Sequence, residues 1–128
     1  MISSIMLDHS ACEKFCEQVF KLNKGIRYVG IFNGDNAFFK MREGVKNLLT
    51  QEQTMWSLKD TLARWKTRNT LSSELGKPLY AMAEYEKVKR VTVPIDENSF
   101  ILISMERAVY HEIITKEILD LRDTYFKE

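Results

Sequence analysis

Apolar residues recur at helical spacing in three stretches of this chain, and five other short stretches read as β-strands. Cys12, Phe15, Cys16, Val19 and Phe20 form the first helical stripe. Ser10 followed by Glu13 is a capping-box pattern ahead of it, and Lys24-Gly25 supplies a stop, so the spacing predicts a helix over residues 9–23. Residues 26–32 are rich in β-formers and are followed by Asn33-Gly34, a tight-turn signal because both residues tolerate positive φ. Residues 37–41 complete that hairpin. Thr50 with Gln53 is a second capping box, and Met55, Leu58, Leu62 and Trp65 then recur at helical spacing, which predicts a middle helix over residues 51–72.

Gly76-Lys77-Pro78 ends that helix and three more strands follow, over residues 79–85, 88–95 and 100–105. Short turns at Glu86-Lys87 and Asp96-Glu97-Asn98 make them an antiparallel meander. Pro94 has no N–H for a ladder and belongs near a strand end. The last of the three strands is almost continuously apolar, as expected of a central strand covered on both faces. Tyr110, Ile113, Ile114, Glu117, Ile118, Leu121 and Tyr125 fall at helical spacing and predict a final helix. The order is α-β-β-α-β-β-β-α. A five-stranded antiparallel sheet needs both faces covered, so two helices are expected on one face and one on the other, in a single α+β domain over residues 1–128.

The ratio of 45% apolar to 29% charged residues is ordinary for a globular domain of 128 residues, so the core needs no metal or disulfide support. A net charge of +1 gives no global drive toward nucleic acid or anionic membrane. Cys12 and Cys16, the two cysteines, read as reduced thiols. No stretch has the charged start of a signal peptide or the roughly 20 apolar residues of a membrane span, and the expected location is the cytoplasm.

Candidate chemistry is sparse. His9, Cys12 and Cys16 fall at spacings of three and four, and His111 starts the last helix, so a zinc site or a Cys/His nucleophile can be drawn. Both thiols lie on the apolar stripe, however, and burial is the commoner fate of such cysteines. No metal, cofactor or catalytic residue is therefore assigned. Asp35, Glu43, Glu84 and Glu86 fall in or near turns, where carboxylates meet water. Gly30, Gly34 and Gly44 lack the spacing of a phosphate loop. Gly30, inside a strand, suggests a close backbone approach or a bulge. Arg64, Lys66 and Arg68, with Lys87, Lys89 and Arg90, are interleaved with Trp65, Tyr80 and Tyr85, a pattern that can bind single-stranded nucleic acid, but the balanced charge disfavours it. Trp56 sits one position off the middle helix's stripe, widening its apolar arc enough to face both a core and a partner.

The element order resembles the roadblock/LC7 domain within the wider profilin-like group. The stretches Ile26-Arg27-Tyr28-Val29-Gly30-Ile31, Met41-Arg42-Glu43-Gly44, Leu75-Gly76-Lys77 and Glu86-Lys87-Val88 are similar to those of a family of small archaeal proteins. The resemblance covers most of residues 10–125, and its motifs mark turns and packing. It implies a homodimer paired through the middle helix and the strand after it, here residues 51–72 and 79–84. Trp56, Lys59, Leu79, Tyr80, Ala81 and Met82 are the interface residues on that footing. It also implies a non-enzymatic scaffold or regulator acting with a small GTPase or another protein. The alternative is a PAS/profilin-like sensor holding a small molecule between sheet and helices; a nucleic-acid binder ranks below both.

Overall fold

A computed structural model describes residues 7–126. Helix α1 (His9–Leu22) leads into strands β1 (Ile26–Phe32) and β2 (Ala37–Met41). Helix α2 (Gln51–Asn69) and a one-turn helix α3 (Ser72–Leu75) follow, then β3 (Ala81–Glu84), β4 (Lys89–Asp96), β5 (Ser99–Met105) and helix α4 (His111–Phe126). The strands form one antiparallel sheet in the order β2-β1-β5-β4-β3.

Alternation along the strands sends two sets of side chains to opposite faces. One face carries Val29, Ile31, Val91, Val93, Ile101 and Ile103, which pack with Cys12, Phe15, Cys16 and Val19 of α1 and Ile114 and Ile118 of α4. The other carries Tyr28, Phe32, Phe100 and Leu102, which pack with Leu58 of α2. The architecture is thus two helices on one face and one on the other, with β5 buried through six of its seven positions. Its exception is Ser104, half-buried.

Several details differ from expectation. Asp8, not Ser10, caps α1, its carboxylate accepting from the Ser10 N–H at 3.0 Å. Glu13 is drawn away instead to the ammonium of Lys40 on β2. The middle helix stops at Asn69, and a separate turn, α3, makes four helices where three were expected. The capping box at Thr50 and Gln53 forms in both directions. Strand β3 pairs only from Ala81, opposite Thr92, so Leu79 and Tyr80 lie outside the ladder, which ends before Pro94. The irregularities in pairing lie between Ile26 and Tyr28 and between Pro94 and Asp96. At Gly30 there is a close approach: the Tyr28 ring lies over it, and a Cβ there would stand 2.5 Å from the Tyr28 hydroxyl.

The two outer helices are tied to the sheet by polar contacts as well as by packing. The Arg42 guanidinium, just past β2, donates to the carbonyls of Phe20, Asn23 and Ile26 at 2.6–2.7 Å and stacks on the Phe20 ring. It satisfies carbonyls that the end of a helix leaves without partners. At α4, Arg122 donates to the Pro94 carbonyl at 2.9 Å, and Lys89 donates to that of Val109 at 2.8 Å.

Candidate interaction surface

Several large apolar residues left outside both cores lie on the stretch that runs from α2 to β3, and others are scattered, among them Phe39, Leu48, Tyr85, Tyr110 and Ile113. Trp56 is 68% exposed, Leu75 78% and Leu79 69%, and Leu71, Tyr80 and Met82 are also exposed. At 100° per residue, Trp56 falls on the side of α2 opposite Thr54 and Leu58, the residues that meet the sheet. With Lys59, Met55, Gln51 and Glu52 it lines a shallow depression on the helix's outer surface.

Strand β3 is a sheet edge, paired with β4 on one side only. The register places Ala81 opposite Thr92 and Met82 opposite Val91. Ala81 and Ala83 therefore look toward the α2 face, while Met82 and Glu84 look toward the face covered by α1 and α4. The six residues singled out from the sequence thus form two groups: Trp56 and Lys59 on the outside of α2, and Leu79, Tyr80, Ala81 and Met82 along the lead-in and the edge strand. Sequence reasoning missed Leu71 and Leu75, which α3 projects outward between those groups. Their signal was two leucines outside any periodic stripe. It also placed Tyr110 and Ile113 on the buried stripe of the last helix; both are exposed, because α4 presents Ile114, Thr115 and Ile118 inward.

A groove of about 1070 Å³ lies at the end of β4, bordered by the C-terminal parts of α2 and α4, the lead-in to β3 and the turn between β4 and β5. Trp65, Pro78, Leu79, Pro94, Leu119 and Phe126 give it apolar walls.

Reactive groups are held quiet. Burial pushes the Cys12 thiol up to about 11, with the Asp8 charge adding to the effect. Burial, chiefly, pushes Cys16 up to about 12. The ring of His9 packs edge-on against Phe38 rather than meeting the thiols. Among the described residues, no three His, Cys, Asp or Glu side chains are placed to hold a metal ion. Glu84 is paired with Arg107 at 2.9 Å, which holds its carboxyl below the usual value. Of the basic residues noted in the sequence, Arg64 pairs with Asp60, Arg68 lies over the Trp65 ring and Lys89 is engaged at Val109. No helix among the described residues is long and apolar enough to cross a membrane.

No family model matches the sequence, and no curated protein matches it. Solved structures do match. The gliding protein MglB of Thermus thermophilus superposes with a TM-score of 0.73 at 8% identity, covering 99% of this chain and 98% of that one. MglB of Myxococcus xanthus gives 0.71 at 10% identity, over 94% and 96% of the two chains. A roadblock/LC7 domain from Streptomyces avermitilis gives 0.65 at 6% identity, over 84% and 88%. With the element order, the sheet order and the two-against-one placement of helices described above, the chain has the roadblock/LC7 fold.

Proposed function

We propose that the chain is a non-enzymatic protein-binding module that pairs with a second copy of itself through α2 and β3. The observation that carries this is the open β3 edge, whose flanks expose Leu75, Leu79 and Met82. An unpaired edge offers a row of backbone donors and acceptors to an incoming strand. Ala81 and Ala83 make the floor beside α2 shallow, leaving room for a second helix alongside. Trp56, exposed on the outer side of α2, is a large aromatic of the kind enriched at binding hot spots. The paired module would act in the cytoplasm as a scaffold or regulator, and the partner class implied by the resemblance is a small GTPase.

Sedimentation of the chain over a range of concentrations tests the pairing. A dimer is expected, converted to monomer by Leu79→Glu with Met82→Lys, while the melting temperature measured under dilute conditions stays within about 2 °C, because both side chains are exposed. Trp56→Ala is expected to weaken self-association more than it destabilises the monomer. A parent chain that stays monomeric at every concentration, or a double variant that still pairs, refutes the reading.

A further inference from the structure

Helix α2 is attached to the sheet differently from α1 and α4. Among the described residues, none of its side chains forms a hydrogen bond or ion pair with another element. Thr54, Thr61, Thr67 and Thr70 each donate to a carbonyl of their own helix or its cap. Asp60 and Arg64 pair with each other, Arg68 covers Trp65, and the N-terminus is capped by Thr50. The contrast is with α1, held by Arg42 and Lys40, and α4, held by Lys89 and by its own Arg122.

The seat of α2 is apolar: Leu58 is buried in the cluster on that face with Met55 and Leu62 partly buried beside it, and Trp65 is buried two turns further along the helix. Thr54 and Ser57 turn polar side chains inward. Beneath the helix lies the Tyr28 hydroxyl, buried and without a hydrogen-bond partner among the described residues. A phenol held there costs free energy that it would recover on meeting water or another polar group. The segment carrying α2 and α3 is bracketed by Gly44 and Gly76, at φ +81° and +82°, each with open space where a Cβ would go.

We infer that residues 45–75 form a unit that swings on Gly44 and Gly76, lifting α2 from the sheet and uncovering Tyr28. This deepens the pairing reading and rests on it for its purpose: α2 is the helix proposed to meet the second copy, and its seat can adjust to that copy. The cap of α2 and its side-chain hydrogen bonds are internal and survive the swing, whereas the Lys46 carbonyl, beside the Gly44 hinge, accepts from Arg27 of β1 at 2.9 Å and gives up that bond. Local opening of this kind draws on the low end of a fold's stability range.

Amide hydrogen exchange on the full chain, below the denaturant range of global unfolding, tests the swing. The interior amides of α2 are expected to exchange together, about 100-fold or more faster than those of α1, β1 and β5. Tyr28→Phe removes the orphaned hydroxyl from the closed state and is expected to slow α2 exchange about tenfold relative to α1. Exchange of α2 at the rate of β1, or a gradient running inward from its two ends, overturns the inference. So does a Tyr28→Phe chain whose α2 rates are unchanged. The same samples go to sedimentation, so failure to pair and failure to swing are read separately.

Discussion

Replacing Arg42 by Met keeps a long aliphatic stem and removes the head group that joins three chain segments. The guanidinium donates to the carbonyls of Phe20 and Asn23 at the end of α1 and to that of Ile26 at the start of β1. It also lies 5.1 Å from the centre of the Phe20 ring. A hydrogen bond to a charged group contributes about 1.5–3 kcal/mol net, but three bonds from one head group are not additive, and the freed carbonyls at a helix end can turn partly to water. The half-buried cation–π contact adds about 0.5–1 kcal/mol. The expected loss for Arg42→Met is therefore about 3 kcal/mol, or a fall in melting temperature of roughly 10 °C for a domain of this size. Arg42→Lys should recover less than half, because one ammonium cannot reach three carbonyls with a planar fork's geometry. Urea unfolding followed by circular dichroism measures both, provided the slope with denaturant is unchanged. A loss below about 1 kcal/mol for Arg42→Met, or a Lys variant as stable as the parent, would show that packing alone holds α1 to the hairpin.

Two further outcomes follow from burial. The thiols of Cys12 and Cys16 titrate near 11 and 12 in the fold against 9.0 for an ordinary thiol. The folded state thus holds protons that the unfolded chain releases, so the stability these groups contribute is complete below pH 9 and lost as pH rises toward 12. Alkylation at pH 8 should label neither cysteine until denaturant is added, and rapid labelling of the native chain by iodoacetamide would contradict their burial. Gly30→Ala should destabilise by about 2 kcal/mol, because its Cβ meets the Tyr28 hydroxyl at 2.5 Å and the ring at 2.9 Å. The double variant with Tyr28→Leu should recover most of that in thermal melts; a double variant as unstable as the sum of the singles would place the strain elsewhere.

The parts of the fold legible in the chain were those decided locally. The Thr50/Gln53 cap depends on neighbours a few residues away and forms where the pattern puts it. The β1–β2 hairpin also turns at Asn33-Gly34, but through the four residues 33–36, with positive φ at Gly34 alone and the Asn33 side chain accepting from the Asp35 and Asn36 N–H groups. The cap of α1 was misplaced because Asp8 and Ser10 both carry a capping oxygen, and only the partnering of Glu13 with Lys40, 27 residues on, separates them. Arg42 lay in a quoted motif, yet its role needs three carbonyls brought together from elsewhere in the chain. The candidate surface was half legible: Trp56 stood off its stripe, but the exposure of Leu75, Tyr110 and Ile113 depends on which arc of each helix meets the sheet, which periodicity leaves open.

The two rims of the sheet are not alike. Strand β2 is five residues long and bears Lys40, a charge of the sort that discourages further strands, whereas β3 is short but bare of positive charge. A ribbon able to lengthen at one rim only is finished after a single two-fold contact, since the copy that arrives consumes the same rim it offers. The proposed pairing through β3 would therefore join two copies without seeding a filament.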